Sequence, residues 1–350
     1  MRKISQILIG LLIFILLAAC TPAATQPAAN PTEAQSPAPT SLVLYSGRSE
    51  SLVAPIIKQF SDVSGIKVDV RYGTTAEIAA TLLEEGENSP ADVFWAQDPG
   101  GLGAVAGAGA GLLTPLPEDL LNMVPANFRS PDGFWVGISG RARVIVYNTE
   151  ALTPEDLPAD IWDFIDPKWK GKIGWAPTNG SFQVMVTGMR QSWGEEKTRQ
   201  WLEGILANAP TSYENNTAVV AAAGTGEIEV GFVNHYYVYR FLQEEGEGFG
   251  ARNYFLPGQG PGSLVMVAGA GVLKTSDNQE NAEKFLRFLL STVAQQYFAT
   301  QTWEYPLLEG VVTPRGLTPL ADLHGIEMDL ADLTDLQGTV ALLTEVGALP

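Results

Sequence analysis

Cysteine is almost absent from this chain: Cys20 is the single one among 350 residues. No disulfide can form within the chain, and no cysteine-based metal site can be assembled. Histidine is nearly as scarce, with only His235 and His324. There is no Gly-x-Ser-x-Gly elbow, no His-Glu-x-x-His pair and no Walker sequence, which removes the usual routes to hydrolase, metalloprotease and nucleotidase chemistry. Glu50, Asp92, Asp98 and Glu304 are present, but no spacing pairs two of them as acid and base. An enzyme or a surface adhesin is therefore left without a constellation to carry it. Basic residues are also few, 21 against 39 acidic ones, for a net charge of −18. Nucleic acid would be repelled by such a surface, whereas a cationic cargo is compatible with it.

What is present begins with the N-terminus. Arg2 and Lys3 precede an apolar run over residues 7–19 that ends Leu16-Leu17-Ala18-Ala19-Cys20. The run is too short and too one-sided in its flanks for a transmembrane helix and reads as an export signal. The pattern resembles the bacterial lipobox, which would make Cys20 the lipidated first residue; an ordinary signal peptide with an unrelated cysteine is the competing reading. The expectation is a signal peptide over 1–19 and a flexible tether over 20–41, rich in Pro, Ala, Thr, Ser and Gln and without apolar period. Loss of Arg2 and Lys3 with the signal leaves the rest still more acidic. Lipid, tether and globule suit a protein that works outside the cytoplasm at a membrane surface, cell surface or periplasmic, touching the membrane only through its anchor.

The globule after the tether exceeds what one core usually serves, so two lobes are expected. Strand patterns at 41–45, 66–70 and 92–95 alternate with helical spacing over 51–63 and 75–85, which predicts a parallel sheet flanked by helices. Ligands of such sheets sit beyond the carboxyl ends of the strands, so the loops at 46–50, 73–75 and 96–101 are candidate binding loops. The glycine-rich run 101–111 lacks a phosphate-loop ending and reads as a closely packed small-residue helix. A strand is expected at 143–148 and another at 263–273. Between them lies a second α/β series: strands at 172–175 and 227–233, and helices at 182–193, 195–207, 217–223 and 238–245. C-terminal helices at 278–290, 292–300 and 338–346 would brace the body. The fold class expected is α/β, two α/β units joined by two β crossovers into a hinged, two-lobe body.

The most informative cluster is Asn234-His235-Tyr236-Tyr237-Val238-Tyr239, after one strand and before a helix. Two adjacent phenols can converge on one point if the backbone turns there, and phenolates are hard donors suited to a hard trivalent cation. On the residues alone, ordinary aromatic packing is the stronger reading. Two segments could cradle an anion: Pro177-Thr178-Asn179-Gly180-Ser181-Phe182 and Asn215-Asn216-Thr217 open helices, where free N–H groups and the dipole favour negative charge. Plain N-capping is the alternative for each.

In order along the chain, LVLYSGRSE (residues 42–50), GIKV (65–68), ADVFWAQ (91–97), ISGRARVIVYN (138–148), PKWKGKIGW (167–175), TNGSF (178–182), ENNTAV (214–219), NHYYVYR (234–240), PGSLVMVAGAGVLK (261–274) and WEYPL (303–307) resemble the ferric-ion-binding periplasmic proteins of ABC importers, the bacterial transferrin-like group. The resemblance implies a two-lobe, type II periplasmic-binding fold, with residues 42–142 plus 265–305 as one lobe and 143–264 plus 306–350 as the other, hinged on the two crossovers. It implies a protein that is not an enzyme, captures Fe³⁺ in the interlobe cleft as a monomer, and hands it to an ABC permease and its ATPase. Tyr236 and Tyr237 match the family's adjacent iron-ligating tyrosines. Asn179, Gly180 and Ser181 match the segment holding a synergistic phosphate or carbonate, and Asn216 and Asn234 match further anion contacts. Two departures stand out: Ser49 and Gln97 occupy positions where members can carry a ligating histidine and glutamate. Glu50, Asp98, or an exogenous anion and water would then complete the metal shell. The alternative is the same fold with an organic solute, such as a phosphonate or a polyamine, served by Arg48, Arg141, the anion cradle and the aromatic cluster.

Overall fold

The computed structural model describes residues 41–349 apart from 108–110, 324 and 327. The signal peptide, nearly all of the tether, Cys20 and His324 lie outside the described residues. No helix among the described residues is long and apolar enough to cross a membrane.

The chain opens as expected with β1 (Ser41–Ser46), α1 (Glu50–Ser64), β2 (Lys67–Tyr72), α2 (Thr75–Glu85), β3 (Val93–Ala96) and α3 (Pro99–Ala106). β1 lies parallel to both β2 and β3. The helix starts are written locally. Thr74 and Glu77 form a reciprocal capping box on α2, and the Asp98 carboxylate caps α3, each satisfying backbone N–H groups that the helix itself leaves open. Gly65 ends α1 in the left-handed region, at φ 72°, where a residue without Cβ meets no steric penalty.

After the short α4 (Glu118–Leu121) comes β4 (Val136–Asn148), buried at every position. The sequence marks only its second half. Its first half is diluted by Gly137, Ser139 and Gly140, so the apolar signal fades although the strand continues. The second α/β series follows as β5 (Ile173–Trp175), α5 (Gly180–Trp193), α6 (Glu195–Ala207), β6 (Thr211–Ser212), α7 (Asn216–Thr225), β7 (Val230–Asn234), α8 (Tyr236–Glu245) and β8 (Ala251–Tyr254). β9 (Val265–Val272), α9 (Gln279–Leu289), α10 (Thr292–Tyr297) and α11 (Leu336–Glu345) complete it. The helix expected over 292–300 is α10 followed by a π-helical turn, Phe298–Thr302.

The sheet order is β2-β1-β3-β9-β4-β7-β5-β6, with β8 also paired to β4. The early half of β4 pairs with β9, and the late half with β7 and β8. β4 and β9 are thus the two strands that join the ends of the sheet. One hydrophobic cluster gathers Leu44, Ile56, Phe94, Trp95 and Phe285 around the first α/β unit. Others gather Trp175, Phe182, Trp201 and Phe232, and Val144, Val219 and Val233, around the second. The C-terminal segment touches both: Leu307 and Leu333 belong to the first cluster, Leu342 and Leu343 to the second.

Phe232 on β7 is held edge-on by Phe164 and against Trp201, with ring centroids 5.5 Å away in both cases, two residues before the strand delivers Asn234. Phe232→Ala should cost about 3–5 kcal/mol through lost burial plus the cavity left behind. Denaturant unfolding of wild type and variant measures it.

Candidate functional site

The site grows from the period of a strand. Side chains two apart on β4 share a face, so Ser139, Arg141 and Arg143 point the same way, and all three are buried. The loop after β1 adds a third guanidinium, Arg48, which is also buried. Gly47 makes that loop possible: it packs against Thr75 with no room for a side chain. The Gln97 N–H donates to Thr75 Oγ1 at 2.9 Å. All three loops expected beyond β1, β2 and β3 are thereby drawn together.

Arg48 Nη2 donates to both oxygens of Glu304, at 2.6 and 2.8 Å. Glu304 also accepts from Ser139 Oγ at 3.2 Å and Thr302 Oγ1 at 3.1 Å. Arg141 Nη1 donates to Ser181 Oγ at 3.1 Å, and Arg143 Nη1 to Asn234 Oδ1 at 3.0 Å. Those bonds leave much unmet. The Nε and Nη1 of Arg48, and the Nε and Nη2 of both Arg141 and Arg143, are buried without an acceptor among the described residues. Burial works against the Arg48 charge, but Glu304, together with Tyr236 and Tyr237, more than offsets it and its pKa rises. Burial, then the neighbouring Arg48, lowers Arg141, and burial with Arg141 beside it lowers Arg143 to about 9. Arg143 still carries its charge at neutral pH.

Tyr236 and Tyr237 occupy the first turn of α8, not an irregular turn before it. Their rings stack with centroids 4.2 Å apart. Tyr236 is fully buried, and among the described residues its hydroxyl has no hydrogen-bond partner. Burial, then the neighbouring Tyr236, holds the Tyr237 phenol well above its ordinary pKa, while Arg141 and Arg48 pull it down. The tyrosines and the guanidiniums therefore sense each other's charge. Asp98 is buried at the same place; burial raises its pKa, and Arg141 and Arg48 oppose the rise.

The start of α5 closes the cluster. Ser181 Oγ receives donors from Arg141, from Asn234 Nδ2 at 3.1 Å and from Gln97 Nε2 at 3.3 Å. Asn179 caps the helix by accepting from the Ser181 N–H at 3.1 Å. A Cβ on Gly180 would lie 3.5 Å from Asp98 Oδ2. Asn216 Oδ1 accepts from the Asn234 N–H at 3.1 Å. Gln97, Asp98, Arg141, Asn179, Gly180, Ser181, Asn216, Asn234, Tyr236 and Tyr237 thus converge. Ser49 and Glu50 do not join them: both are exposed at the start of α1, although Arg48, one residue earlier, turns inward.

His235 is occupied on both ring nitrogens. Nδ1 accepts from the Ala142 N–H at 3.1 Å, which leaves Nε2 to donate to the Trp303 carbonyl at 2.8 Å. Burial lowers its pKa to about 4, so the ring is neutral and stacks on Tyr305. Its role is to tie the tyrosine pair to β4 and to the segment carrying Glu304. Among the described residues no three His, Cys, Asp or Glu side chains gather as a metal site; the donors at this place are phenols and the carboxylates of Asp98 and Glu304, the latter taken up by Arg48. Arg143 and Glu304 are the residues that sequence reasoning missed. A second arginine two places along an apolar strand was the available signal for the first. No local pattern marks Glu304 as the partner of Arg48.

The family model for bacterial extracellular solute-binding proteins matches residues 89–319, more than half of the chain. The chain belongs to this family of solute-binding proteins. The major ferric iron-binding protein of Neisseria meningitidis is 33% identical to it over 320 residues, covering 90% of this chain and 95% of that protein. Iron-bound HitA from Pseudomonas aeruginosa superposes with a TM-score of 0.84 at 35% identity, covering 88% of this chain and 100% of that one. Trichodesmium IdiA (FutA), in complex with iron and citrate, gives 0.77 at 31% identity over 88% and 99%. The solute-binding protein thus has the two-lobe type II periplasmic-binding fold, with β4 and β9 as its crossovers, and it is a transport component and not an enzyme.

In this solute-binding protein, removing one partner of a buried ion pair strands the other. Glu304→Ala should destabilise by about 3–5 kcal/mol, whereas the apolar pair Arg48→Met with Glu304→Leu should recover most of that loss. Urea unfolding of the three proteins reads both.

Proposed function

We propose that this protein is the extracytoplasmic capture component of an ABC importer and that its cargo is ferric iron. The observation that carries the reading is the stacked pair Tyr236 and Tyr237, with the Tyr236 hydroxyl buried and unpartnered. A buried phenol without a partner costs free energy, and Fe³⁺ replaces its proton with a bond to a hard oxygen donor. Burial holds the Tyr237 proton on, so the metal charge and the nearby guanidiniums must together favour the phenolate. The relatives point the same way: one is named a major ferric iron-binding protein, and two solved structures are titled as holding iron.

Asp98 is the carboxylate placed to join the shell. Glu50, exposed on α1, is left out of it. An anion, phosphate or carbonate in the first instance, completes the coordination near Asn179, Gly180, Ser181, Asn216 and Asn234. The lobes, 42–142 with 265–305 and 143–264 with 306–350, move about β4 and β9. Iron favours closure by as much as it binds the closed form more tightly than the open one. The permease, with its ATPase, reads the closed monomer, and a lipid on Cys20 holds the protein near that permease. A polyamine cargo is disfavoured, because it would bring positive charge to three buried guanidiniums without displacing the phenol protons, as a bound Fe³⁺ does.

Tyr236→Phe and Tyr237→Phe should each weaken Fe³⁺ binding about 100-fold or more, and the double variant should lose the visible phenolate-to-iron charge-transfer band. Absorption titration with ferric nitrilotriacetate measures both. Full colour and affinity in a folded double variant would end the assignment.

A further inference from the structure

We propose that Trp303 is a positioning residue for the solute site: it latches the helix that carries Tyr236 and Tyr237 onto the first α/β unit. That the solute is iron rests on the reading above; the latch does not.

The backbone points to this residue first. Trp303 ends the π-helical turn Phe298–Thr302 in the left-handed region, at φ 60° and ψ 21°. Among the described residues, only Ala209 shares a positive φ without being glycine. A bulky side chain in that region costs free energy, and the conformation persists only where its neighbours hold it. π-helical turns are rare and gather at functional sites. The question is what the strained residue grips.

Three contacts run to α8 and to the residue before it. The Trp303 carbonyl accepts from His235 Nε2 at 2.8 Å. The indole stacks on the Tyr239 ring, with centroids 4.9 Å apart and planes 12° from parallel. Its Nε1 donates to Gln243 Oε1 at 3.4 Å. Tyr236, Tyr239 and Gln243 follow one another at spacings of three and four, so they lie along one side of the helix. Trp303 therefore holds α8 lengthwise, starting beside the tyrosine pair.

The residues around Trp303 are rooted on the other side. Phe298 packs edge-on against Trp95 of β3, with centroids 6.1 Å apart. The Tyr297 hydroxyl donates to the Leu52 carbonyl of α1 at 2.8 Å, and Glu304 pairs with Arg48 beyond β1. These anchors belong to the first α/β unit, whereas β7 and α8 belong to the second. Trp303 thus joins the two units beside the tyrosines, at a point separate from β4 and β9. Separation of the units breaks the stack and takes away the contacts that hold the strained backbone. The latch thereby sets how the phenols stand relative to Gln97 and Asp98, and how long a solute is kept between them.

Hydrogen exchange on the iron-stripped protein tests the latch without metal. Trp303→Gly removes the indole and leaves a residue that adopts a positive φ freely; Tyr239→Leu removes the facing ring. Each should speed amide exchange within α8 and leave β1, β2 and β3 as in wild type, and Trp303→Phe should restore most of the protection. Unchanged exchange in α8, or a uniform rise along the chain, would overturn the latch. In the iron-loaded protein, each variant should release Fe³⁺ to a competing chelator about three- to tenfold faster. The double variant should release it no faster than either single one, because the same stack is lost in each. The phenolate-to-iron band should also move, since it reports the geometry of the two phenols. Wild-type release and an unmoved band in the folded variants would overturn the positioning role. A wild-type protein that takes up no iron would overturn the iron reading, and hydrogen exchange would still decide the latch.

Discussion

Three guanidinium groups kept away from water at the middle of the sheet are the constraint on which the rest of this structure depends. Among the described residues, one of them has a carboxylate at hydrogen-bond distance, the Arg48–Glu304 pair at 2.6 Å. The other two are held by neutral oxygens, Ser181 Oγ and Asn234 Oδ1. A buried cation with neutral partners is poorly compensated, and the cluster remains tolerable because many elements contribute to it: the β1 loop, β4, the start of α5, the end of β7 and the segment after the π-helical turn. Tyr236, Tyr237 and Asp98 share this space, and the proton affinities of Tyr237 and Asp98 are set by burial against the same positive field.

The topology explains why those groups meet. β4 is the strand along which the chain passes from one α/β unit to the other, and Ser139, Arg141 and Arg143 line one of its faces. β7 pairs antiparallel with the late half of β4, with Asn234 opposite Arg143, so the strand end that delivers Asn234 also delivers the tyrosine pair. His235 locks that arrangement through Ala142 and Trp303. Because contacts to Ser181 come from Gln97 after β3 and from Arg141 on the crossover, the cluster also bridges the two units.

Much of this could be read from the sequence, for identifiable reasons. The opening βαβαβ pattern survives because its strands are short apolar runs and its helices carry a regular apolar face. The tyrosine pair and the Asn179–Ser181 segment could be recognised because their residue types are contiguous. The first half of β4 could not, since its glycines and serine carry no strand period. Glu304 lies 256 positions from Arg48, and nothing local predicts that pairing. The inward turn of Arg48 and the exposure of Ser49 and Glu50 depend on a loop bent tightly over Gly47, which residue types alone do not specify. Arg141 could be placed as an anion contact from its chemistry, but the cluster of three needed the packing of the β1 loop against β4.

On the proposed reading, metal and anion share one site, the phenols of Tyr236 and Tyr237 on one side and the start of α5 on the other. Anomalous diffraction at the iron absorption edge, from crystals of the iron-loaded protein, tests it most directly. An iron peak bonded to the oxygens of both Tyr236 and Tyr237 is expected, with oxyanion density between it and the guanidiniums of Arg48, Arg141 or Arg143. An iron peak away from the tyrosines, or one bonded to them with no anion between metal and arginines, would contradict it.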